Sequence, residues 1–259
     1  MAMWMDQVAR GWLIYELTDS PVQLGLVQGV RAIPILLLSP LAGTAADRYP
    51  RKLQLVVAQA LAGGVFAALA ALIWSGHIRP WHVYAAAVAM ASVQAFHQPA
   101  RAAMVADAVP PEHLTNAIGL NSLGFNVARS TGPALAGALI AALGTASSYV
   151  VQTGCYLLAV IWTLGLRATP VTGGEGAGAG TPLGRSIVEG WAFSWRNQAV
   201  RSGLLITSCA SLFIMPFTTL LPVFARDLLG VGATGQGWLL SAMGMGAVSS
   251  ASSSRRSAT

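Results

Sequence analysis

The sequence predicts an all-α fold, a polytopic bundle of membrane helices, and three observations carry that prediction. The chain of 259 residues is 54% hydrophobic and only 9% charged, with a mean hydropathy of +0.60; a soluble domain carries about 25% charged residues. Its apolar runs reach about 20 residues, long enough to cross roughly 30 Å of hydrocarbon. They lack the two-residue alternation of a barrel strand, and a backbone in lipid must satisfy its own hydrogen bonds, which leaves helices.

Taken in order, residues 1–17 form a first span, ended by Glu16, Asp19 and Pro21, and residues 22–45 a second. The charged, small-residue stretch 43–52 reads as a tight loop at a membrane surface. Residues 53–74 make the third span and residues 81–96 the fourth, with Trp74 and Trp81 on either side of a turn, where interfacial aromatics are expected. A polar connection, 97–116, leads to a fifth span over 117–143 and a sixth over 147–166.

Residues 1–168 thus form a six-span unit, followed by a linker over 169–200. Its first part, 169–182, is Gly-rich and reads as flexible. In residues 183–199, Ile187, Trp191 and Trp195 recur every fourth position while Arg185, Glu189 and Arg196 lie off that stripe, the pattern of an interfacial helix. The segment 201–248 holds a seventh span, 204–229, with Pro216 and Pro222 inside it, and an eighth starting over 235–248. Residues 249–259 are a Ser/Arg tail that a lipid-facing helix does not favour, and a truncated or frame-shifted product is the expectation there.

The formal charge of +6 and the pI near 10.0 do not mark a nucleic-acid partner, because the cations are spread over loops and no basic face carries interleaved aromatics. With loop 43–52 inside, Arg48, Arg51, Lys52, Arg101, Arg167, Arg185, Arg196 and Arg201 fall on the cytoplasmic side, and only Arg79 and Arg226 fall outside. That asymmetry places the N-terminus in the cytoplasm.

Other chemistries find little support. Cys155 and Cys209 lie inside apolar runs and give no disulfide framework. His77, His82, His97 and His113 lack metal spacing. The Gly176 to Gly180 stretch has no strand before it and no Lys-Ser/Thr after it, so no nucleotide site is expected. No nucleophile, base and orienting partner occur together, so neither an enzyme nor a cofactor is expected. The first apolar stretch carries Asp6 and Arg10 and has no small-residue cleavage site, so no cleavable signal peptide is expected.

Two motifs carry a family resemblance. Gly43, Asp47, Arg48, Arg51 and Lys52 resemble the loop motif G-x-x-x-D-R/K-x-G-R/K-R/K of the major facilitator superfamily, with Pro50 in place of its glycine. Gly119, Ala128, Gly132-Pro133 and Ala136-Gly137 resemble the antiporter motif G-x8-G-x3-G-P-x2-G-G, with two glycines changed to alanine. The stretches Trp12-Leu13-Ile14-Tyr15-Glu16-Leu17-Thr18, Pro99-Ala100-Arg101 and Asn116-Ala117-Ile118-Gly119-Leu120-Asn121-Ser122 are similar to bacterial exporters of the enterobactin-exporter type, the transmembrane secretion effector branch.

The resemblance, over residues 3–248, implies one six-helix half of a twelve-span fold plus about two helices of the second half. Gly25-Leu26-Val27 resembles Gly237-Trp238-Leu239 at an offset of about 212 residues, a trace of the repeat between halves. At that offset, the counterpart of loop 43–52 begins near Arg255. The resemblance further implies a proton-coupled exporter of a small molecule, drug-like or siderophore-like, with the lipid bilayer as partner. Its loop motif implies a cytoplasmic gate that joins the halves; the alternative is that Arg48, Arg51 and Lys52 only fix orientation. A non-transporting remnant, or an adaptor of a longer transporter, is the rival reading for the chain as a whole.

Charge within the bilayer is costly, so intramembrane ionisable residues are the candidate site. Asp6, Arg31 and Arg129 each lie roughly 14 to 20 Å from a span end at 1.5 Å per residue. Asp6 and Arg10 share a helix face at four-residue spacing, where they form a functional pair or merely neutralise each other. Gln28 with Arg31, and Asn126 with Arg129, share faces at three-residue spacing and could line a polar cavity. Asp6 is the only acid deep in a span, hence the candidate proton carrier. The three cations around it point to an anionic or catecholate substrate. Gly132-Pro133 and Gly137 are expected to let helices pack closely and bend.

Overall fold

The computed structural model describes residues 1–107, 109–166, 192 and 194–256, and every described element is helical. Six long helices come first: α1 (Ala2–Thr18), α2 (Pro21–Arg48), α3 (Arg51–Trp74), α4 (Pro80–Asp107), α5 (Leu114–Leu143) and α6 (Thr145–Gly165). A short 3-10 turn, Pro111–His113, precedes α5. Then come α7 (Gln198–Thr219), the one-turn α8 (Leu221–Val223), a π-helical turn (Phe224–Leu228) and α9 (Gly232–Arg256). Residues 169–182 and 183–191, read as the flexible linker and most of the interfacial helix, lie outside the described residues.

The helix ends follow local chemistry. Proline opens α2 and α4, where its missing N–H costs nothing. Asp19 closes α1 in the left-handed region, at φ 46, which aspartate tolerates better than most residues. Gly144, at φ +83, lets the chain turn sharply from α5 into α6.

Several elements depart from the sequence reading. Stretch 43–52 is not a loop: α2 runs on to Arg48 and α3 starts at Arg51, leaving Tyr49 and Pro50 as the turn. Small residues carry the helix through this stretch, and the Gln54 amide supports its end by donating to Ala45 O at 2.7 Å and Tyr49 O at 3.0 Å. The polar connection after span four is largely helix as well. Strong helix formers from Ala100 to Met104 carry α4 past Pro99 toward its end at Asp107.

Span seven does not continue unbroken to residue 229. The chain leaves helical geometry at Leu220, just before Pro222, a residue that cannot donate into a preceding helical turn. The Ser/Arg tail is helical to Arg256, since neither glycine nor proline follows Gly246 to stop α9.

Among the described residues, Pro21–Gly43, Arg51–Trp74 and Thr145–Gly165 are long and apolar enough to cross a membrane. This is fewer than the eight runs expected from sequence. Helices such as α1 and α5 spend part of their surface on protein contacts, which ask for small or polar residues rather than apolar length.

The chain forms two compact units, residues 1–171 with 220–259, and residues 172–219. In the second unit, Asn197 caps α7, its Oδ1 accepting from Ala199 N at 3.1 Å and Val200 N at 3.3 Å.

In the first unit α3 packs on α6, α2 on α4, α5 on α9, and α1 contacts α5 and α6. Met5, Val8, Ala9, Leu13 and Ile14 of α1 meet Phe66, Val83, Ala87, Ala136 and Tyr149 in one core cluster. Thr145 at the start of α6 donates to Glu16 of α1 at 3.1 Å.

The α5–α9 contact depends on missing side chains. A Cβ on Gly137 would sit 2.5 Å from Ala233 O and 3.2 Å from Gly237 Cα, and one on Gly237 would sit 2.6 Å from Pro133 O. The Ala134 amide, next to Pro133, donates to Ser241 Oγ of α9 at 3.1 Å. In lipid, helices associate through this kind of close approach and interhelical hydrogen bonding, because burial of apolar surface offers little gain there. Gly137→Val should therefore cost about 1–3 kcal/mol by overpacking. Thermal unfolding of the detergent-solubilised chain is the check, and an unchanged midpoint would contradict the contact.

Candidate functional site

The site is built on α1, which runs through the core carrying two opposite charges. Arg10 Nη1 lies 3.1 Å from Asp6 Oδ2, one helical turn apart. Asp6 is 6% exposed and Arg10 4%. A buried ion is expensive unless paired, so each residue makes the other tolerable.

Arg31 on α2 lies within electrostatic reach of both, and its Nη1 donates to Gln28 Oε1 at 2.8 Å. The structure thus gathers Asp6, Arg10, Gln28 and Arg31 around α1 and α2. Arg129 and Asn126 are placed differently. Arg129 lies over the Trp4 ring, 5.5 Å from its centroid, and Phe125 meets the same ring edge-on at 5.4 Å. Asn126 turns back on its own helix, its amide donating to Ser122 O at 2.9 Å.

None of these six residues lines a cavity of about 550 Å³ walled by Trp4, Gln59, Gln94, His97, Arg101 and Tyr156 among others. The Arg101 guanidinium at its edge donates to Asn121 of α5 at 2.5 Å.

The motif residues separate into two groups. Gly132 and Gly137 are close-approach positions; a Cβ on Gly132 would lie 2.8 Å from Trp4 Cβ and 3.3 Å from Met1 O. Pro133 is fully buried beside them. Gly119 and Gly43 face open space. The side chains of Asp47 and Arg48 lie outside the described residues, and Arg51 is half-buried at the start of α3.

Lys52 caps α6, its Nζ donating to Leu164 O at 2.7 Å and Leu166 O at 2.6 Å. A cation at the carbonyl end of a helix complements its dipole.

Sequence reasoning missed two further groups. On α6, Ser148, Tyr149 and Gln152 are buried polar residues on one stretch of the helix; the i, i+3 placement of Tyr149 and Gln152 was the available signal. At the other end of α1, the Tyr15 hydroxyl donates to Asp227, Arg226 pairs with Asp19 at 2.8 Å, and Arg226 stacks over the Tyr15 ring at 5.3 Å. These partners are about two hundred positions apart, so no local pattern announces them.

A family model described as transmembrane secretion effector matches residues 1–258. The chain belongs to this family of the major facilitator superfamily. It is 30% identical to the staphyloferrin A transporter of Staphylococcus aureus (strain NCTC 8325 / PS 47), covering 87% of this chain and 56% of that protein. It is 27% identical to the multidrug efflux pump Tap of Mycobacterium tuberculosis (strain ATCC 25618 / H37Rv), over 85% of this chain and 54% of that one. The macrolide efflux protein A of Streptococcus pyogenes is 23% identical, with 85% and 54% covered. The chain spans about half the length of the curated relatives it matches.

The ion pair sets up a comparison of variants. Arg10→Met leaves the Asp6 carboxylate buried without its cation and should cost about 3–5 kcal/mol, whereas the double change Asp6→Leu with Arg10→Met should recover most of that loss. Chemical unfolding of the single and double variants measures the difference.

Proposed function

We propose that this chain is the ion-coupled part of a secondary transporter that exports a small molecule by alternating access, driven by protons. The observation that carries this reading is the Asp6–Arg10 pair buried in the core beside Arg31. Intramembrane charge of this kind marks substrate and ion pathways. The names of the relatives, a siderophore transporter and two drug efflux proteins, support a transported organic molecule.

In this reading Asp6 carries the proton, and the cations Arg10, Arg31 and Arg129 favour an anionic or catecholate substrate. Residues 1–168 act as the first transporter half, residues 169–200 as a cytoplasmic linker with an interfacial helix, and residues 201–248 as the start of the second half. The N-terminus is cytoplasmic. Asp47, Arg48 and Arg51 belong to a cytoplasmic gate. The bond from Lys52 to α6 supports an anchoring role for that residue inside the first half.

The test is accumulation of two probes, ethidium and a catecholate siderophore, in efflux-deficient bacteria expressing the chain. Expression should lower accumulation of the catecholate, and a protonophore should restore it. Asp6→Asn and Arg31→Ala should each remove at least about 90% of the effect, as expected for an essential charge. Equal accumulation with and without the wild-type chain, or full activity in Arg31→Ala, would sink the reading.

A further inference from the structure

Helix α4 carries a polar face that the ion pair on α1 does not explain. Gln94, His97, Gln98 and Arg101 recur at three- and four-residue spacings, which puts them on one side of the helix. All four line the cavity of about 550 Å³.

The other walls are aromatic or small. Trp4 of α1 and Phe125 of α5 meet edge-on, with 5.4 Å between ring centroids. Tyr156 of α6 is held against Phe66, its ring 5.7 Å away. Trp4, Phe125 and Tyr156 each line the cavity. Small residues leave the room: Gly124, Ala128 and Ala159 line it too, and a Cβ on Gly124 would meet nothing within 4 Å. Small-molecule sites are typically concave spaces of about 300–1,000 Å³, mostly apolar and aromatic, with a few polar groups that fix orientation. This cavity has that size and that make-up.

Charge decides the class of ligand. Arg101 is the lining side chain that stays ionised at any working pH, and no acidic side chain lines the cavity among the described residues. A guanidinium has five N–H donors. The bond from Arg101 to Asn121, at 2.5 Å, goes to a neutral amide and leaves the positive charge uncompensated. The amides of Gln94 and Gln98 add donors and acceptors on the same helix face.

We propose that this cavity binds an organic anion with a flat aromatic body. Arg101 pairs with the anionic group, Gln94 and Gln98 make polar contacts, and Trp4, Phe125 and Tyr156 pack against the rings. This rests on the reading of the chain as part of a transporter of small organic molecules, and it puts recognition of the anion at Arg101 rather than at the Asp6–Arg10 pair.

The chain carries its own reporter. Cys155 lines the cavity, whereas Cys209, exposed on α7, does not. The experiment follows alkylation of both thiols by N-ethylmaleimide, read by mass spectrometry, in the whole chain in lipid nanodiscs. Naphthoate, naphthylmethanol and naphthylmethylammonium are added in turn as probes of matched shape. Naphthoate should protect Cys155 at a concentration at least about tenfold below that of the alcohol, the gain expected of a hydrogen bond to a charged group. The ammonium probe should be the weakest, and Cys209 should react at one rate throughout. Arg101→Gln should bring naphthoate to the level of the alcohol, and Phe125→Ala should weaken both.

The order of the three probes on the wild-type chain decides the ligand class even where a variant fails to fold. Equal protection by all three, strongest protection by the ammonium probe, or slowing of Cys209 along with Cys155 overturns the proposal. So does a Cys155 that is unreactive or unprotected, or full naphthoate protection in Arg101→Gln. No ion gradient is present, so a failure here leaves the proton-carrier reading of Asp6 standing. Failed export from cells, in turn, leaves this site standing.

Discussion

The ion pair between Asp6 and Arg10 constrains more of this molecule than any other interaction. It sits one turn deep in the helix that contacts α5 and α6, where neither charge can reach water. Burying a charge is tolerable only beside its counter-ion and other polar groups. The surroundings follow from that. Arg31 of α2 comes within reach of both charges, and α6 turns its Ser148, Tyr149 and Gln152 inward while its Leu157, Leu158 and Ile161 face outward. The two buried charges of the described core, Asp6 and Arg10, both lie on α1.

The second organising feature is close backbone approach. Gly137 and Gly237 face each other's helices so tightly that a methyl group at either would meet a carbonyl oxygen. The Ala134 amide bonds across the same contact to Ser241. Small residues are the means by which helices adhere in a solvent as apolar as their own side chains. At the far end of α1, the Tyr15, Asp19, Arg226 and Asp227 group joins the turn after α1 to the segment around the π-helical turn. Near its end α1 is thus tied both to this segment and, through Glu16 and Thr145, to α6.

Much of this was legible in the one-dimensional pattern. Helix number and order up to α6 follow from apolar run length. The Asp6–Arg10 and Gln28–Arg31 pairings follow from spacings of four and three on one helix, which are local geometry. Gly132 and Gly137 were marked by their motif, and their role as close-approach sites is visible in the packing. Stretch 43–52 looked like a loop because charge and small residues usually punctuate spans. The helix instead runs through it, since Ala45 and Ala46 favour helix and Gln54 supplies an end cap from the next helix.

The sequence by itself determined the solvent this protein folds in, the helical class, the family motifs and the Asp6–Arg10 and Gln28–Arg31 pairings, each within about one turn of one helix. Each of those depends on composition or on neighbours a few residues apart. Only the tertiary structure decided that Lys52 caps α6, that Gly119 meets nothing while Gly137 meets α9, that Asp227 receives the Tyr15 hydroxyl, and that Tyr149 and Gln152 are fully buried. These facts depend on which helix faces come together across a hundred or more residues. A periodic apolar pattern fixes that a helix will pack, but the partner is chosen by shape and by the pairing of buried polar groups.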